Sequence, residues 1–177
     1  VNYHFNPSSH SSGIPEINYS DIFNFIRFED YQEKSVETLR RHAEKLKPSI
    51  IHAASNFVVG MAAVNTAKAL GILSIYEVRG FWHITQASKR AGYEESDHYM
   101  LSESMELEVA LRADHVFTIT QGIANILTDY GVDAKKITIL PNAVDIGAFN
   151  PIDRDKELED ELELYDKIVL GYIGSFV

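Results

Sequence analysis

Residues 71–82 read Gly71-Ile72-Leu73-Ser74-Ile75-Tyr76-Glu77-Val78-Arg79-Gly80-Phe81-Trp82. Gly71 is a helix stop, because glycine takes the left-handed conformation beyond a last turn without a Cβ penalty. Ile72 to Val78 follows as a short buried strand of aliphatic and aromatic residues. A helix stop joined directly to a buried strand is the punctuation of a chain that alternates the two.

The flanks repeat that alternation. An Ala-rich stretch ends at Gly71 and starts after Ser55 and Asn56, both good helix caps, and the run Ser49 to Ala54 before it reads as a strand. Over Gln32 to Lys47 the apolar residues Val36, Leu39, Ala43 and Leu46 recur at helical spacing, with Glu37 four residues before Arg41 and Pro48 ending the run. Beyond Trp82, Ser96 to Arg112 reads as a helix with Leu101, Met105 and Val109 on its buried stripe, and His115 to Ile119 as a strand. Gln121 to Tyr130 is a helix with Ile123, Ile126, Leu127 and Tyr130 on one side, closed by Gly131, and Ile137 to Leu140 is a further strand before Pro141. Strands that alternate with helices and are apolar along their length predict an α/β fold, a parallel sheet with helices on both faces.

The two ends read differently. Val1 to Ile17 carries Pro7, Ser8, Ser9, Ser11, Ser12, Gly13 and Pro15, the composition of a loop entered in mid-domain. Pro151 to Tyr165 is rich in Asp, Glu and Lys, with Ile152, Leu158, Leu162 and Leu164 as its aliphatic anchors, and reads as a linker with a short helix. Lys167 to Phe176 is then a new strand running into a Gly-Ser turn. The expected organisation is one domain over 1–148, a linker over 149–167 and the first strand of a second, truncated domain over 168–177.

Charge and composition exclude several functions. Asp and Glu number 26 against 16 Lys and Arg, a formal net charge of −10, which repels phosphate backbones and anionic lipid. No nucleic acid is expected as a partner. With no Cys there is no disulfide, thiol nucleophile or Cys-zinc cluster. The 45% of hydrophobic residues, including nine Phe and nine Tyr, suffice for one large core. No apolar run is long enough for a transmembrane segment and none follows a basic n-region.

In an open parallel sheet, ligands bind beyond the carboxyl ends of the strands. The residues there are His52 and Ser55 after the first strand, and Glu77, Arg79, Gly80 and Trp82 after the second. Thr120 follows the third, and Asn142 and Asp145 the fourth. His52 is of the residue type that most often moves protons at neutral pH, but it sits inside an apolar strand, as core histidines do. Glu77 and Arg79 are two apart and share a face, the geometry of a plain ion pair as well as of a site. Pro141 to Asp145 also reads as turn chemistry. Gly174 and Ser175 could present backbone N–H groups to a phosphate, or form only a turn. The seven His show no metal-ligand spacing, so no metal is expected, and no P-loop, nucleophile elbow or GxGxxG fingerprint occurs.

Five segments taken together resemble glycosyltransferase family 4: Ile50 to Ser55, Gly71 to Trp82, Ala113 to Thr120, Pro141 to Asp145 and Gly171 to Phe176. "YEVRGFW" and "PNAVD" carry most of that resemblance. It implies the GT-B fold, with two Rossmann-like domains across a cleft, and a retaining, metal-independent transfer of sugar from a nucleotide-sugar donor. This chain would be the N-terminal, acceptor-side domain. His52, Glu77 and Arg79 would be catalytic, and Gly80, Trp82, Thr120, Asn142 and Asp145 would line the acceptor cleft. Gly174 and Ser175 would face the donor phosphate. The family's Gly-rich loop after its first strand is missing, and its Thr-x-His pattern is answered here by Glu77-Val78-Arg79. A guanidinium cannot act as a base, so Arg79 would contact a phosphate or acceptor oxygen. His52, His83 or Glu77 would then assist the acceptor hydroxyl.

The expected function is hexosyl transfer to a saccharide or lipid acceptor in cell-surface polysaccharide or glycolipid synthesis, with this fragment alone inactive. No cofactor is expected beyond the nucleotide-sugar co-substrate. The setting is cytoplasmic, with the full-length protein peripheral to the membrane as a variant of it. A homodimer through the orphan strand 168–173 is a further expectation. Two alternatives stand: a non-catalytic binding or assembly module of GT-B ancestry, and a GT-B nucleotide-sugar epimerase.

Overall fold

The computed structural model describes residues 28–174, so the loop expected over Val1 to Ile17 lies outside the described residues. In chain order come α1 (Phe28–Leu46), β1 (Ile50–Ala54), α2 (Phe57–Leu70), β2 (Leu73–Val78), α3 (Trp82–Ala87), α4 (Asp97–Arg112), β3 (His115–Thr118), α5 (Gln121–Asp129), β4 (Ile137–Ile139) and α6 (Lys156–Glu161). Single 3₁₀ turns lie at Tyr93–Glu95 and Ala134–Lys136. The chain divides into two compact units, Val1–Asn142 and Ala143–Val177.

In the first unit the four strands pair in parallel in the order β1-β2-β3-β4. The α/β class and the parallel Rossmann-like sheet agree with the sequence. Parallel neighbours require crossovers, supplied here by α2, α4 and α5. Right-handed crossovers that advance one strand at a time deliver every connecting helix to the same side. Burial follows suit. Ile51 and Ala53 of β1 and Ser74, Tyr76 and Val78 of β2 are buried, whereas Ile50, His52 and Ala54 are exposed. Among the described residues the connecting helices cover the face that carries Ile51, Ala53, Tyr76 and Val78. The other face presents His52, Ile75, Glu77, His115 and Phe117 partly to solvent.

Caps set the helix ends. Asn56 Oδ1 accepts from the Val58 N–H at 3.2 Å, and Gly71, at φ 67°, closes α2 with its N–H on the Ala67 and Lys68 carbonyls. Helix α2 lies directly on the sheet because Gly60 has no side chain there. A Cβ at Gly60 would meet the Tyr76 ring at 2.6 Å and Val109 Cγ1 at 2.7 Å. One apolar cluster joins Ile51, Tyr76, Val78 and Val116 of the strands to Phe57, Met61 and Val64 of α2, Val109 of α4 and Leu127 of α5. Helix α1 packs on α2, with the Gln32 amide donating to the Val58 carbonyl at 2.8 Å.

Helix α4 departs from its expected stripe. Leu101 is exposed, and the buried positions are Ser102, Glu106, Val109 and Ala110. The inward face of β2 explains this, because Tyr76 needs a partner for its hydroxyl. Glu106 supplies one, accepting from Tyr76 Oη at 2.6 Å and from the Phe57 N–H at 2.7 Å. At the other end of β2, Asp114 accepts from both the N–H and the hydroxyl of Ser74 at 2.8 Å.

In the second unit, α6 is capped by Asp155 Oδ1 accepting from the Leu158 N–H at 3.1 Å. Among the described residues no strand pairs with 168–173, and Ile168, Leu170 and Ile173 are exposed.

Candidate functional site

Three side chains come together on the open face of the sheet: His52 from the middle of β1, Glu77 from the penultimate position of β2 and Arg79 just beyond its end, so that of the three only Arg79 lies past a strand end as the sequence suggested. His52 Nε2 lies 3.0 Å from Glu77 Oε2, and Arg79 Nε lies 3.7 Å from Glu77 Oε1. The Glu77 side chain is 19% exposed, against 43% for His52 and 58% for Arg79. The carboxylate is thus sheltered and the two nitrogen groups reach solvent. The His52 ring also meets the edge of Phe117, with centroids 5.8 Å apart, and Phe117 in turn touches His115.

Ser55 fixes the two strand ends to one another. Its N–H and hydroxyl both donate to the Glu77 carbonyl, at 2.9 and 3.2 Å, and the same hydroxyl accepts from the Arg79 N–H at 2.8 Å. Chemically the cluster is a carboxylate that orients an imidazole, beside a guanidinium. Glu77 directs His52 Nε2–H toward itself and leaves Nδ1 as the proton acceptor.

Among the described residues of the first unit, no hydrogen bond or ion pair ties the other sequence candidates to this cluster. Gly80 is exposed and a Cβ there would meet nothing within 4 Å, so glycine is not sterically required. Trp82 begins α3 and is half-exposed. Thr120 caps α5, its hydroxyl accepting from the Ile123 N–H at 3.3 Å. Asn142 is exposed at the end of the first unit. In the second unit Asp145 closes an Asx turn, Oδ1 accepting from the Gly147 N–H at 2.8 Å, and Gly174 is exposed. Ser175 lies outside the described residues.

His83 belongs to a different grouping, in the helical layer. It is buried, 4.0 Å from Glu103 Oε1 through Nε2, and edge-on to Tyr99 at 4.9 Å between centroids. Tyr130 donates to the same Glu103 oxygen at 2.9 Å. Burial pulls the His83 pKa below its ordinary value and the Glu103 charge pulls the other way. Sequence reading missed Glu103, Tyr130 and Glu106. Burial lifts the Glu106 carboxyl, against hydrogen bonds from Tyr76 and Phe57 that lower it. The signal available for Glu106 was a Glu at helical spacing from Val109 and Ala110.

Among the described residues no cluster of three or more His, Cys, Asp or Glu could hold a metal, and no helix is long and apolar enough to cross a membrane.

The family model of Glycosyltransferase Family 4 matches residues 17–147, well over half of the chain. The chain belongs to glycosyltransferase family 4. The matched span contains the His52–Glu77–Arg79 cluster and the His83 grouping alike. No curated protein matches the sequence. Among solved structures, the S. aureus MnaA structure with UDP is 15% identical at a TM-score of 0.50, over 84% of this chain and 36% of that one. The UDP-GlcNAc 2-epimerase of Neisseria meningitidis bound to UDP-GlcNAc is also 15% identical, at a TM-score of 0.49, over 63% of this chain and 28% of that one. At such identities the MnaA likeness is one of fold, and it agrees with the GT-B architecture of glycosyltransferase family 4. This chain spans little more than a third of the length of that structure.

Proposed function

We propose that this chain is the acceptor-side domain of a retaining glycosyltransferase that moves a sugar from a nucleotide-sugar donor to a hydroxyl of a saccharide or lipid. The observation that carries the reading is the Glu77 carboxylate held between His52 and Arg79 on adjacent parallel strands, within the span matched to the family. In the reaction the anomeric C–O bond to the diphosphate breaks and the diphosphate leaves with the bonding pair. The acceptor oxygen forms the new bond and gives up its proton. His52 Nδ1 is the group to receive that proton, and Glu77 stabilises the imidazolium that results. Arg79 offers its planar fork to an acceptor or phosphate oxygen. The reading extends to hexosyl transfer in cell-surface polysaccharide or glycolipid synthesis, in the cytoplasm and without a resident metal. Self-association through the exposed residues 168–173 is part of it, since unpaired apolar chain seeks a free sheet edge.

The test is turnover of a nucleotide-sugar panel by the protein extended to its natural termini, with and without saccharide and lipid acceptors and in EDTA. This 177-residue chain is run beside it. Acceptor-dependent release of nucleotide by the longer protein, and none by the shorter, supports the proposal. Conversion of the sugar at C2 without an acceptor would assign an epimerase instead. No turnover with any acceptor would point to a binding module. Light scattering on the chain tests self-association, and a strict monomer would reject it.

A further inference from the structure

The helical layer contains convergent polar groups that the transfer reaction does not use. Between α3, α4 and α5 lies a pocket of about 180 Å³, bounded by Phe81, Tyr99 and Tyr130, with Leu107 among its apolar lining and His83 and Glu103 as its polar groups. Pockets for drug-sized molecules run to roughly 300–1,000 Å³, so this one has room for a single small ring and not for a nucleotide. Its lining includes no Lys or Arg, which disfavours a phosphate.

The polar groups are placed for a ligand atom that neither supplies. His83 is 3% exposed and turns its Nε2 toward Glu103 across the pocket. The 4.0 Å between Nε2 and Glu103 Oε1 is too long for a direct hydrogen bond, but it accommodates one oxygen about 2.8 Å from each. Tyr130 holds that carboxylate oxygen in place at 2.9 Å. Aromatic walls around a shared carboxylate and imidazole suit a molecule with hydroxyls on its rim and C–H bonds on its face.

We infer that this pocket binds one neutral sugar ring, a hydroxyl bridging His83 Nε2 and Glu103 Oε1 and the C–H face lying against the aromatic walls. It is a second site, in the layer opposite the His52–Glu77 face, and does not rest on the transfer reading.

The test is NMR of the 177-residue chain with the methyl glycosides of glucose, galactose and N-acetylglucosamine, and with UDP and inorganic phosphate as anionic probes. At least one glycoside is expected to shift the His83 and Tyr130 ring signals saturably in the millimolar range, with neither anion doing so. Glu103→Ala should weaken that binding about tenfold, the loss of a charge-assisted hydrogen bond. His52→Ala should leave it unchanged, which separates this site from the transfer site. If no glycoside moves these signals in the unaltered chain, or if Glu103→Ala binds as well with its circular dichroism intact, the pocket is no sugar site.

Discussion

His52 and Glu77 meet on a diagonal. In the β1–β2 register Glu77 lies opposite Ala54 and His52 opposite Ile75, yet the carboxylate reaches back to place Oε2 3.0 Å from His52 Nε2. If the protein carries out the proposed transfer and His52 takes the acceptor proton, His52→Ala in the longer protein lowers kcat by about 10²- to 10⁴-fold, the usual worth of general acid–base catalysis, with little change in KM. Glu77→Gln costs less, because the amide oxygen still accepts from Nε2–H. Steady-state kinetics on the two variants checks the order. Equal losses would mean that Glu77 acts directly.

Gly60→Ala is expected to destabilise the fold although alanine favours helix. The gain from propensity is about 1 kcal/mol. Overpacking against Tyr76 and Val109, whose atoms a Cβ would meet at 2.6 and 2.7 Å, costs about 1–3 kcal/mol. Gly80→Ala, in open space, should change stability by less than about 0.5 kcal/mol. Urea unfolding of both variants measures the contrast.

The Tyr76–Glu106 pair gives opposite results according to which partner is changed. Tyr76→Phe leaves Glu106 Oε1 without its donor, the Phe57 N–H still serving Oε2, and should cost about 1.5–3 kcal/mol. Glu106→Gln keeps an acceptor for the Phe57 N–H and a donor for Tyr76 Oη while removing the buried charge, and should be neutral or stabilising at pH 7. The Glu106 pKa is raised in the fold. Its favourable contribution is therefore full below the unfolded carboxyl value and is lost as pH rises through the folded one. The advantage of Glu106→Gln should grow from acid toward neutral pH, as denaturant midpoints across that range would show.

His83 should titrate below the ordinary histidine value, because burial opposes its charged form. Glu103 works against burial, so Glu103→Gln should lower the His83 pKa further. A depressed folded value means that the stability from neutral His83 is present above the unfolded pKa and is lost as pH falls through the folded one. Ring-proton chemical shifts against pH read both effects, and an upward shift in the variant would contradict the geometry.

The alternation of helix and strand was legible because Asn56, Gly71 and Ser96 punctuate it with their own chemistry, and each caps a helix in the structure. The covering of the sheet was not. Ile50 to Ala54 looks apolar throughout, and only strand order shows that Ile51 and Ala53 face helices while His52 does not. His52, Glu77 and Arg79 could be picked out because ligands gather at strand ends, but their contact depends on register, which no local pattern encodes. Leu101 and Glu106 exchanged places because hydrophobicity predicts burial one residue at a time. A buried Tyr76 hydroxyl demands a partner from elsewhere in the chain.

The Ser55 clamp bears on how binding at the sheet edge would register in a calorimeter. One hydroxyl bonded to both Glu77 and Arg79 main-chain atoms joins the two strand ends into a single rigid ledge. The imidazole and carboxylate are thereby arrested before any ligand arrives. Loss of freedom on association then falls on the incoming hydroxyl and on the exposed Arg79 side chain, and removing the Ser55 hydroxyl would surface first as an entropic penalty.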